Sequence, residues 1–68
     1  MTANEIKKEL YKQKPIAVID YERADFIYYS TLIIVDGMEE ILEFKVPRSE
    51  KFEDKEIPAQ LLIRWLVN

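Results

Sequence analysis

Hydrophobic side chains at the start of the chain recur with a helical period, then switch to runs and alternations of strand type. Ala3, Ile6 and Leu10 fall at i, i+3 and i+7, one stripe of a helix that Tyr11 widens. Thr2-Ala3-Asn4-Glu5 matches a capping box, in which Thr2 accepts from the Glu5 amide and the Glu5 carboxylate reaches back. Glu5 with Lys8, and Glu9 with Lys12, are i,i+3 pairs on the wet side. Lys12 and Lys14 suit the negative end of the helix dipole. Pro15 ends the helix and biases Lys14 towards extended geometry. The pattern predicts a helix over about residues 3–13.

Residues 16–21 form a short β-rich run, and the polar residues 22–25 fit a turn. Residues 26–35 carry the strongest strand signal, with Phe, Ile, Tyr, Thr, Leu and Val broken only by Ser30. Asp36-Gly37 is a favoured hairpin pair, because both residues tolerate positive φ. Residues 39–46 then alternate, with Leu42, Phe44 and Val46 expected in the core and Glu43 and Lys45 in water. Pro47 cannot donate to a ladder and stops this strand. Residues 48–56 hold seven charges in nine positions and read as a loop that Phe52 pins down.

Pro58 suits a first helical position, and Leu61, Leu62, Trp65 and Leu66 make a stripe, predicting a helix over 58–67. The expected fold is α+β: a three-stranded antiparallel β-meander flanked by an N-terminal and a C-terminal helix, α-β-β-β-α, in one domain over residues 1–68. Both helices should pack on one sheet face. The last should supply most of the core, with Trp65 as its anchor.

Size sharpens the question of what completes the core. A domain this short buries only about 60% of the surface its unfolded chain exposes. Short domains often add disulfides, a metal or a second subunit. The chain has no Cys and no His, which removes disulfides and the preferred zinc ligands. Cysteine-free composition fits a reducing compartment, and no apolar run approaches a membrane span of about 20 residues. A cytoplasmic protein is expected.

Missing His and Cys also removes the commonest acid–base group and the best side-chain nucleophile, so no catalytic residue is assigned. Asp20 with Glu22, and Glu39 with Glu40, are paired carboxylates, but a chain this short leaves little room for a cleft between such groups. Glu50, Glu53, Asp54 and Glu56 lack the glycine and regular spacing of a calcium loop, and one glycine cannot build a phosphate cradle. No cofactor or small-molecule substrate is expected.

The net charge of −3 argues against nucleic acid, although residues 1–14 carry four Lys against two Glu. Lys7, Lys8, Lys12 and Lys14 are therefore the candidate contacts of an alternative reading as a nucleic-acid-associated accessory protein. The leading expectation comes from the second strand. Its two possible faces, Phe26-Tyr28-Ser30-Leu32-Ile34 and Ile27-Tyr29-Thr31-Ile33-Val35, are both largely apolar, whereas a sheet with one wet face should alternate. Three explanations compete: lysine or arginine stems cover the second face, a helix sits on each face, or the face, with an edge strand, pairs with another chain. The last option predicts a protein–protein interaction or self-associating domain, a homodimer being the simplest form, with Tyr28, Tyr29, Thr31, Ile33 and Ile41 as the candidate surface. The Lys/Glu/Ile-rich composition without Cys or His resembles short bacterial and phage proteins, and assigns no residue a role.

Overall fold

A computed structural model describes residues 1–67. Helix α1 spans Ala3–Gln13, and strands β1 (Ile16–Glu22), β2 (Phe26–Val35) and β3 (Met38–Pro47) follow as an antiparallel meander. A short strand β4 (Glu56–Pro58) pairs antiparallel with β1, and a 3₁₀ helix covers Ala59–Trp65. Sheet order is β3-β2-β1-β4.

The start of α1 follows its sequence signal. Thr2 has extended dihedrals, and its hydroxyl accepts from the Glu5 amide and donates to the Glu5 carboxylate, both at 3.2 Å. Its end departs from expectation. Lys14 is left-handed (φ 50°, ψ 52°) rather than extended, because its amide then closes onto the Leu10 carbonyl at 3.0 Å. Asp36 and Gly37 both take positive φ, as a tight primed hairpin requires. Ten consecutive residue pairs, from Phe26↔Pro47 to Val35↔Met38, then zip β2 to β3.

Both helices pack on one face of the sheet. Ile6 and Leu10 of α1 meet Ile27, Tyr29, Ile33, Leu42, Phe44 and Val46 of the strands, joined by Ala17, Ile57, Ala59 and Leu62. The C-terminal expectation needs correction at three points. Ile57 and Pro58 are strand rather than helix start, since Ile57 pairs with Ala17 and Pro58 ends an edge strand where no donor is needed. The helix is 3₁₀, so it repeats every three residues, and Ala59 and Leu62 face the core while Leu61 lies out in solvent. Most of the core therefore comes from the strands. Trp65 is half-buried, edge-on to Phe52 at 5.4 Å between centroids and covered by Arg64 at 4.1 Å.

Candidate functional site

The choice between the two faces of β2 is made by polar groups. Tyr29 turns inward, is fully buried, and offers its hydroxyl to the carbonyls of Phe52 (3.1 Å) and Asp54 in the charged loop. Burial first, and then the charges of Asp54 and Glu22, push its pKa above the usual tyrosine value. Thr31 also points inward, donating to the Ile16 carbonyl at 3.0 Å. Turned outward, Tyr29 and Thr31 would leave both hydroxyls in water; turned inward, they tie the loop and the start of β1 to the sheet. Ile27, Tyr29, Thr31 and Ile33 are consequently core. Of the five residues expected at an interaction surface, Tyr29, Thr31 and Ile33 are thus corrected to the interior, while Tyr28 and Ile41 lie on the open face.

The open face is assembled from four strands. Register places Ile34 beside Glu39, Leu32 beside Ile41, Ser30 beside Glu43, Tyr28 beside Lys45 and Phe26 beside Pro47. On β1, Val18 lies beside Ser30, with Ile16 one pair further along. The centre of this face is aliphatic and exposed: Ile16 52%, Val18 43%, Leu32 42%, Ile34 45% and Ile41 66%. A shallow depression runs between Ile16, Val18, Ser30, Leu32 and Ile41. Ile16, Val18, Leu32 and Ile34 were absent from the expected surface. Leu32 and Ile34 belong to one of the two apolar faces of the 26–35 run, which nothing in the pattern ranks outward, and Ile16 and Val18 stand in the 16–21 run, for which the pattern assigns no face.

One end of the face is aromatic and cationic. A register shift between Ile19 and Tyr21 breaks the alternation of β1, so that Tyr21 pairs with Tyr28 instead of following Ile19 into the core. The two rings stack at 4.3 Å with 12° between planes. Arg23 lies over Tyr21 at 5.6 Å and Lys45 over Phe26 at 4.1 Å. Arg48 closes the same end, reaching Glu22 at 3.2 Å and the Arg23 carbonyl at 3.0 Å. The hairpin end is acidic, with Asp36, Glu39 and Glu40 and no Lys or Arg between Val35 and Phe44.

The remaining candidates are dispersed. Lys7, Lys8, Lys12 and Lys14 are exposed on or just after α1, which packs on the opposite side of the sheet from the stacked tyrosines. Glu50 of the charged loop meets Arg64 at 3.8 Å across exposed surface. Among the described residues, no group of three or more Asp or Glu is placed to hold a metal ion. No helix among them is long and apolar enough to cross a membrane.

Comparison with protein-family models, curated proteins and solved structures finds no match.

Proposed function

We propose that the chain is a non-catalytic protein–protein interaction or self-associating domain of the cytoplasm, and that it binds through the open face of its sheet. One observation carries this reading: Ile16, Val18, Leu32, Ile34 and Ile41 form one exposed aliphatic field while both helices pack on the other face. A one-sided antiparallel sheet normally turns polar side chains to water, and contiguous apolar patches on small soluble proteins commonly mark contact sites. Basic stems account for only one end of the face, at Tyr21 and Phe26. The small size adds support, since a core this limited gains from a partner's surface. The composition is in keeping with a phage or mobile-element origin.

The test is Ile41→Lys and Leu32→Lys, each examined for its thermal melt, its mass by light scattering and the proteins it retains from the native host. Association seen for the wild type should be lost in both variants while a cooperative melt and the native circular dichroism spectrum are kept. A wild type that stays at 8.1 kDa at about millimolar concentration, and retains the same host proteins as the variants, overturns the reading. The second reading is nucleic-acid association through Lys7, Lys8, Lys12 and Lys14. It is favoured by their exposure on one helix, and it predicts a gel shift that disappears as salt rises. It draws less support because the aromatic stack that could hold bases lies on the other side of the sheet.

A further inference from the structure

We infer that the occupant of the open face is a second copy of this chain, packed sheet on sheet with its strands antiparallel to the first. This inference rests on the interaction reading above and adds the partner and its orientation.

The edges of the sheet are partly occupied. On the β1 side, β4 is three residues long and ends in Pro58. On the β3 side, Leu66 bridges to Phe44 and the Val67 amide donates to the Glu43 carbonyl. Beyond the start of β1, the Gln13 side chain takes both backbone groups of Ile34, at 2.7 and 2.9 Å. Approach face-on leaves all of these contacts in place and covers the exposed aliphatic field. Strands β2 and β3 are ten residues each, about 34 Å at ~3.4 Å per residue, and three to four strands span ~15 Å. The projected face is then ~500 Å², and side-chain relief raises its accessible area towards the ~800 Å² per partner of a stable interface.

Charge selects the orientation. Lys45 stands beside Tyr28 at the cationic end, and Glu39 stands beside Ile34 at the acidic end. Both project on the open face of β3, separated by about 20 Å along the strand. If two copies met with strands running the same way, Lys45 and Arg23 would come together at one end and the acids at the other. A two-fold axis in the interface, perpendicular to the strands and centred at the Thr31↔Leu42 pair, reverses one copy. Lys45 then faces Glu39 of the second copy, and the symmetry repeats the contact at the opposite end. The same operation sets Tyr28 against Ile34 and Val18 against Ile16 of the second copy, which buries the aliphatic field at the centre. Glu43 falls at the level of Ile41 of the second copy, on the edge strand.

The experiment is a charge swap read by light scattering and sedimentation. The wild type should sediment at twice the 8.1 kDa chain mass. Glu39→Lys and Lys45→Glu place like charges opposite each other twice per dimer, and each should weaken association by roughly tenfold or more. An equimolar mixture of the two variants restores both attractive pairs, as does the double variant E39K/K45E, and both should recover the wild-type dimer. Unchanged far-UV circular dichroism spectra and a cooperative melt for the single variants confirm that the fold is intact. A dimer insensitive to the single reversals, or one that neither the mixture nor the double variant restores, overturns this arrangement. If Ile41→Lys still dissociates that dimer, the open face remains the binding surface and only the orientation fails. A wild type that is monomeric, yet loses a host protein on Ile41→Lys, overturns the second copy as occupant and leaves the interaction reading standing.

Discussion

Replacing Tyr29 by Phe isolates a single hydroxyl. The ring is fully buried among Ile27, Phe44 and Leu62, so Phe keeps the packing volume and no cavity forms. What is lost is the O–H held by the carbonyls of Phe52 and Asp54. The net value of such a bond is about 1 kcal/mol, rising when stranded acceptors stay dry. Glu53 and Asp54 are exposed, so water reaches part of the loop, and the cost should be about 1–2 kcal/mol. For a domain of this size that lowers Tm by roughly 5–12 °C.

Proton linkage supplies an independent readout of the same hydroxyl. Burial, then Asp54 and Glu22, raise the Tyr29 pKa above 10.0, so the native state holds this proton more tightly than the unfolded chain does. The stabilisation is therefore complete below pH ~10 and is lost as pH climbs from there through the raised value. Stability of the wild type should fall more steeply above pH ~10 than that of Tyr29→Phe. Thermal melts by circular dichroism at pH 7 and urea melts from pH 7 to 11, with amide exchange at residues 52–55, measure both effects. A Tm within about 1 °C of the wild type, with the same alkaline slope and unchanged loop exchange, refutes the tethering role.

Leu62→Ala should cost about 2–5 kcal/mol and Leu61→Ala less than about 0.5, because only Leu62 lies on the buried edge of the 3₁₀ helix; equal denaturation midpoints for the two would return the segment to an α-helical face. Gly37→Ala has open space around its Cβ, so the left-handed backbone alone (φ 76°) sets a cost of about 1 kcal/mol in the melt. Gln13→Ala removes both side-chain bonds to Ile34; about 1 kcal/mol should be lost, with faster exchange at the Ile34 amide. An unchanged exchange rate there would show that solvent replaces the glutamine at no cost.

The elements readable in the sequence were those whose local signals agree. Thr2 and Pro15 bracket α1, Asp36-Gly37 fixes the hairpin, and the Leu42, Phe44, Val46 alternation fixes the face of β3. The C-terminal segment departs from its sequence pattern because Pro58 suits both a helix start and the end of an edge strand. Ala59, Leu62 and Trp65, spaced by three, carried the 3₁₀ period beneath a more conspicuous leucine stripe. The candidate surface was found as a strand but not as a face. Both sides of β2 are apolar, and the deciding contacts of Tyr29 lie more than twenty positions away, at Phe52 and Asp54. The bulge that turns Tyr21 outward has no local marker either, since Asp20 is neither Gly nor Pro.

The glutamine at the end of α1 covers a stretch of strand edge of the kind that can seed fibrils. Strand β2, rich in β-branched and aromatic residues, outruns β1, which is three residues shorter. An uncovered overhang of this composition is a seed for cross-β growth. The primary amide of Gln13 carries one acceptor and two donors, so it can imitate a passing peptide group and occupy the slot that a foreign strand would need. The seed is thus guarded by a helix terminus rather than by another strand. Helix ends fray at far lower free energy than sheets unfold. Loosening of the last turn of α1 would expose the Ile34 backbone groups on that edge while the sheet is still intact.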